Sequence, residues 1–230
     1  MNKNCNTVIN IDNNHNTLFA NGYNYYKFFW IFVIGCVAGV LIETFWCFLI
    51  THHIESRTAL VIGPFNPIYG FGAILMTLVY IFFKNKNNLV IFISTMLFCG
   101  LFETLCSIVQ ELVFGTISWY YDLDSLGILG KRTSIIYCIF WGILGIAWIK
   151  YIYPLLEKYI EKIQNKIGKI LTFILTVFLI FDILLSSAAV YRQKERRNNI
   201  PANNIIREYL DNKYNNDVLK KIYPNMTIVK

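Results

Sequence analysis

Four carboxylates stand inside apolar stretches of this chain: Glu43, Glu103, Glu111 and Asp182. Two of them share the run LVIFISTMLFCGLFETLCSIVQELVFG, residues 89–115. That run is long enough to cross a bilayer, and Glu103 and Glu111 fall on one face of it, about two turns apart. An ionisable group in a spanning helix costs roughly 2.5–3.5 kcal/mol on insertion scales, so it faces a partner or a water-filled cavity rather than lipid. The chemistry on offer is charge pairing within the membrane: a fold lock, a proton or substrate path, or a general base. In the last case, Arg57 or Arg132 would hold a phosphate.

The opposing charges are few. Arg57 follows the first apolar run, and Lys131 and Arg132 follow the third. At 1.5 Å per residue, Glu43 lies about 26 Å from Tyr26, Glu103 about 21 Å from Leu89 and Asp182 about 18 Å from Ile170. If the helices alternate in direction, all three carboxylates start from one face and reach middle to far depth. There the loops with Arg57, Lys131 and Arg132 could meet them. A half-buried ion-pair cluster is expected, either locking the fold or lining a path.

Other chemistries find little support. GILGKRT resembles a phosphate loop, but the required first glycine is Ser125 and Arg132 replaces the hydroxyl residue after the lysine. His52 and His53 are adjacent and lack the i, i+4 spacing of a helical metal pair. The six cysteines form no C-x-x-C and read as small packing residues. No nucleic-acid motif is present. No cofactor, metal ligand or catalytic residue is assigned.

The elements that must position these groups follow from composition. Of 230 residues, 56% are hydrophobic and 15% charged, against about a quarter charged in a soluble domain. The apolar residues gather into runs, which predicts an all-α, polytopic membrane bundle of about five transmembrane helices. The expected spans are residues 25–50, 68–83, 89–115, 133–153 (stopped by Pro154) and 170–191. An amphipathic segment over residues 155–167 is expected to lie on the membrane surface. The Asn-rich residues 1–24 lack a signal-peptide pattern and are expected to be disordered. Residues 25–191 form the transmembrane domain, and residues 192–230 a basic tail with one small helix ending before Pro224. The stretch THHIESRTALVIGPFNPIYGFG is too rich in Pro and Gly for regular helix and reads as a shaped loop at the bundle mouth. Gly35 and Gly39 give the small-residue spacing that lets another helix approach. Trp119, Tyr120 and Tyr121 suit the head-group level.

Glu43-Thr44 and Glu103-Thr104 recur in similar surroundings, each followed by an irregular loop with basic residues and a Gly-containing helix. Such an echo suits a parallel internal repeat, whose interface is where transporters place their sites. Lysines gather on the N-terminal face, which places the N-terminus in the cytoplasm. The cluster Arg192, Lys194, Arg196 and Arg197 argues the other way.

The segments GPFNPIYGFG, GTISWYY, GKRTSIIYCIFWGILG and KKIYPNM carry a resemblance, over roughly residues 28–230, to the ABC-transporter type IV (CmpB-like) family of bacterial multi-pass proteins. Arg57, Gly63, Pro64, Pro67, Ile68, Tyr69 and Gly70 fit that family's first loop, and Glu43, Glu103 and Glu111 its helical glutamates. Its Trp-Asp-Tyr becomes Trp119-Tyr120-Tyr121, and its Asn-Arg-Gly becomes Ser56-Arg57-Thr58. The candidate polar path is therefore Glu43, Arg57, Tyr69, Glu103, Glu111, Trp119, Lys131, Arg132 and Asp182. The resemblance implies a permease-like subunit in the plasma membrane, working with a separate ATPase subunit. Membrane lipids and a second copy (a homo-oligomer) are the other partners to expect, and nucleic acid is not one. A non-transporting scaffold or envelope-stress protein, or an enzyme acting on lipid or cell-wall precursors, are the alternatives.

Overall fold

The computed structural model describes residues 19–121 and 126–229. Seven helices dominate it: α1 (Tyr25–Thr51), α2 (Pro67–Phe83), α3 (Asn88–Phe114), α4 (Ile135–Glu161), α5 (Asn165–Arg197), α6 (Ile205–Lys213) and α7 (Asn216–Ile222). Two short antiparallel pairs complete it. Strand β1 (Thr116–Ile117) pairs with β4 (Thr227–Ile228), and β2 (Gly127–Ile128) with β3 (Thr133–Ser134).

Side-chain caps mark the helix starts. Asn24, Asn66, Asn87 and Ser134 each accept a backbone N–H from the first turn of α1 to α4, satisfying donors that the helix itself cannot. Gly115, at φ 64°, ends α3 in the left-handed conformation that suits glycine.

Four helices, α1, α3, α4 and α5, are long and apolar enough to cross a membrane; α2 is apolar but has only 17 residues. At 1.5 Å per residue it rises about 26 Å, slightly less than a bilayer core. Contacts show how α2 runs. Gly35 of α1 faces Ala73 and Gly39 faces Tyr69, so α1 and α2 are antiparallel. Thr77 bonds Trp148 and Tyr80 stacks on Tyr153, so α2 and α4 are parallel. Gly100 faces Cys138 and Gly142 faces Phe92, so α3 runs against α4. Helix α2 therefore returns the chain across the bundle, as the fivefold reading expects. Large apolar side chains such as Phe45, Phe82, Leu105, Phe173 and Leu184 remain exposed around the bundle, which suits lipid contact.

Helix α4 departs from expectation. Pro154 does not stop it: the helix widens into a π turn over Trp148–Ile152 and continues through Tyr153–Glu161. Proline removes one backbone donor, and a π turn just before it re-registers the ladder so that the axis continues. The expected surface helix over 155–167 is thus the end of α4. Its Tyr153 and Ile160 are fully buried, in a core with Phe19, Ala20, Ile31, Met76 and Trp148. Phe19 and Ala20 belong to the segment expected to be disordered; residues 1–18 lie outside the described residues. Helix α5 is longer than its expected 170–191, extending from Asn165 to Arg197.

The tail folds back onto the bundle. The single helix expected there is two, broken at Tyr214–Asn215, and Ala189, Leu210, Tyr214 and Leu219 form its core. Arg192, 3% exposed, pairs with Glu195 and Asp211; Arg196 also binds Asp211, and Arg207 binds Glu195. The Arg192 and Arg196 guanidiniums hold the Asp211 carboxyl below the usual carboxylate range. A depressed acid stabilises docking at every pH above its unfolded value near 4, and the contribution fades as pH falls through the lower folded value. A fluorophore on the tail should report release only below about pH 4. Asp211→Asn should shrink that acid-dependent transition, leaving the share carried by Glu195, which Arg207 and Arg192 also hold low.

Small residues set the α1–α2 spacing. A Cβ on Gly39 would collide with the Tyr69 ring, and one on Gly35 would sit 2.8 Å from Ala73 Cβ. Gly39→Leu should cost about 1–3 kcal/mol by overpacking, read as a lower unfolding temperature in detergent.

Candidate functional site

The two halves of the internal echo fold alike: a helix bearing Glu-Thr, an irregular loop with an arginine, and a returning helix packed through glycines. In the first half the Tyr69 hydroxyl, in the first turn of α2, donates to Glu43 of α1. Arg57 Nη1 lies 3.6 Å from Glu43 Oε1, and its Nη2 reaches Cys47 Sγ at 2.8 Å and Glu55 at 3.2 Å. Asn66 fastens this loop twice, capping α2 through Ile68 N and donating to the Arg57 carbonyl at 3.3 Å. Arg57 is shielded, with its side chain 15% exposed. Burial opposes its charge, but Cys47 and the glutamates outweigh that and hold its pKa above the ordinary arginine value.

In the second half the Tyr121 hydroxyl donates to Glu103 Oε1 at 2.7 Å and the Thr133 hydroxyl to Oε2 at 2.8 Å. The Trp141 indole bears on the same carboxylate. Arg132 pairs with Glu111 and donates to Ser107 Oγ at 3.1 Å. Trp119 donates its indole N–H to the Arg132 carbonyl at 2.9 Å, which ties it to the loop. Lys131 lies over the Tyr120 ring, 5.0 Å from its centroid. Leu126, Leu129 and Lys131 all have φ between 51° and 64°, a conformation that costs L-residues roughly 1–2 kcal/mol each. The β2–β3 pairing holds this strained turn and aims Arg132 and Thr133 at α3.

The halves meet. Glu43 and Glu103 lie within electrostatic reach of each other, and Tyr69 within reach of Glu103. Glu43, Arg57, Tyr69 and Glu103, with Tyr121 and Thr133, thus form one polar centre. Glu111, Arg132 and Trp119 extend it towards the face where α3 ends. Arg57 meets Glu43, Arg132 meets Glu111, and Glu103 is bound by hydroxyls.

Asp182 stands apart. Completely buried, it accepts from Ile62 N at 3.2 Å and from Ser186 Oγ at 3.3 Å, while Ser186 Oγ accepts from Val61 N at 2.9 Å. It clamps the backbone of the loop that carries Arg57. Its other oxygen, Oδ2, finds no hydrogen-bond donor.

Sequence reasoning missed a second charged centre. Lys27 of α1 is 1% exposed, with Nζ 2.6 Å from Glu157 and 2.7 Å from Glu161. The Tyr153 hydroxyl donates to Glu157 at 3.0 Å. Lys27 and Glu43 are 16 residues apart, so the two centres are separated by about 24 Å along α1. Glu157 and Glu161 at i, i+4 were the legible signal, hidden by reading their segment as a surface helix. The tail lattice around Arg192 was missed as well.

Among the described residues no group of three His, Cys, Asp or Glu could hold a metal ion. The five described cysteines are free, and all but Cys106 are buried.

Residues 30–187 match the family model described as "Putative ABC-transporter type IV". The match spans the bundle and both halves of the polar centre, and it ends before the charged end of α5 and the tail. No curated protein and no solved structure matches the chain significantly.

Proposed function

Because the chain belongs to the ABC-transporter type IV family, a transport-related group of membrane proteins, we propose that it is a permease-like subunit of the plasma membrane. The observation that carries this reading is the polar centre shared by two similar helix pairs. Two carboxylates from different halves lie within reach of each other inside an otherwise apolar bundle. Glu43 has Arg57 beside it, whereas the partners shown for Glu103 are the neutral Tyr121 and Thr133 hydroxyls. Such a site suits a cation, a proton or a positively charged group of a substrate.

The far end of the bundle is closed in this conformation. Lys27, Glu157 and Glu161, above the core of Phe19, Tyr153 and Ile160, seal the face where α1 begins. Opening that seal while the tail side closes would give alternating access around a fixed central site. The Pro/Gly loop of residues 52–66, clamped by Asp182 and Ser186, is the element placed to couple the two. The energy source would be a separate ATPase, since the chain carries no complete nucleotide loop.

Purification of the tagged chain in mild detergent from its native membrane tests this. A P-loop ATPase should copurify in stoichiometric amount. Recovery of the chain alone, or only with itself, would remove the ATP-driven reading.

A further inference from the structure

The tail forms one wall of a half-open cavity of about 360 Å³ between the end of α5, strand β1 and helix α7. Gln193 and Arg197 line it from α5, Thr116 from the turn after α3, and Asn216, Lys220 and Tyr223 from the tail. Both charges in this wall are positive, and no carboxylate lines it. The contrast with the neighbouring lattice is sharp. Arg192, Arg196 and Arg207 are consumed by Glu195 and Asp211, whereas Arg197 and Lys220 have no acidic partner among the described residues.

What these two cations do bind leaves capacity over. Arg197 Nη2 donates to the Phe114 carbonyl at 2.6 Å, while its Nη1 is buried without an acceptor. Lys220 Nζ donates to the Pro224 carbonyl at 2.8 Å, one of three protons it can give. Met226 and Ile228 add an apolar side.

The position adds a constraint. From Ile170 to Tyr191 the only charged residue of α5 is the buried Asp182, and the helix turns charged at Arg192, so Gln193 and Arg197 lie one turn apart where the helix leaves the hydrocarbon. Thr116 follows directly on the end of α3. A site at that depth meets phosphate groups, with apolar chains on one side and water on the other.

We propose that this cavity binds a single phosphate group, with Arg197 and Lys220 as its counter-charges and the Asn216 amide nitrogen, whose neighbouring oxygen is held by Arg196, as a neutral donor. The phosphate is that of an anionic lipid head group or of a small water-soluble phosphate ester. Binding would draw β4, α7 and the ends of α3 and α5 together, fixing the tail against the bundle.

The test uses the full chain in detergent, delipidated, with phosphatidylglycerol titrated by native mass spectrometry and glycerol 3-phosphate titrated by thermal shift. One saturable site is expected. Lys220→Gln should weaken it roughly tenfold, the loss of one charge-assisted hydrogen bond. Lys220→Arg should retain it, and Lys84→Gln, on the opposite face, should leave it unchanged. Because Lys220 also holds the Pro224 turn, retained binding in Lys220→Arg separates a charge effect from a misfolded tail. Dependence on Lys220 with phosphatidylglycerol alone identifies the lipid source, and the same dependence with glycerol 3-phosphate a soluble one. Binding of both probes that is equal in wild type and Lys220→Gln, or absent, would overturn the proposal.

Discussion

Lys27→Met should lower the stability of the bundle by about 3 kcal/mol, a fall of roughly 10 °C in unfolding temperature for a chain of this size. Lysine here is 1% exposed and holds two glutamates, at 2.6 and 2.7 Å. Removing it leaves two carboxylates one helical turn apart with no counter-charge, and like charges at that spacing repel. The loss falls at the low end of the range for a broken buried pair, because Glu157 and Glu161 are 35% and 26% exposed and water can reach them. The repair should be equally clear. Adding Glu157→Gln and Glu161→Gln to Lys27→Met should recover most of the loss, since a neutral trio can replace a buried ion cluster at little cost. Thermal unfolding of the three proteins in one detergent measures this.

Glu103→Gln should reduce transport by reconstituted vesicles about a hundredfold, the scale expected when one member of a desolvated charged site loses its charge. The fold should survive. Glutamine keeps an oxygen for the Tyr121 hydroxyl, and the bond given up is the one from Thr133, at 2.8 Å. The unfolding temperature should therefore move by only a few degrees, the scale of one hydrogen bond. A scaffold whose carboxylates serve only as locks would show the reverse: a large loss of stability in Glu103→Gln and no transport by the wild type either.

Much of this arrangement was legible in the residues, for identifiable reasons. Apolar runs of bilayer length can hardly fold as anything but helices, so α1, α2 and α3 appeared within a residue or two of their ends. That the loops bearing Arg57 and Arg132 lie near the helical carboxylates was expected from depth, because rise per residue is fixed and few cations are available; which acid each arginine meets, Glu43 for Arg57 and Glu111 for Arg132, was not. Trp119 and Asp182 both hold loop backbone through hydrogen bonds, and nothing in spacing alone distinguishes an anchor from a site. Pro154 misled because a proline's missing donor can be absorbed by a π turn, here over Trp148–Ile152. The error concealed the Lys27 centre, whose partners lie on the part of α4 that was assigned to the membrane surface. The tail could not be placed from sequence, since its lattice joins residues up to 19 apart through side chains that look like ordinary surface charge.

In the proposed permease Glu43 and Glu103 face a water-accessible path, and accessibility at Tyr69 measures this most directly. In Tyr69→Cys a thiol replaces the hydroxyl that binds Glu43. A charged, membrane-impermeant thiol reagent, added from the face where α1 ends, should label this variant well above the wild-type background set by its native cysteines. A folded Tyr69→Cys protein that stays unlabelled from that face would mean a dry ion-pair lock, and would contradict the permease reading.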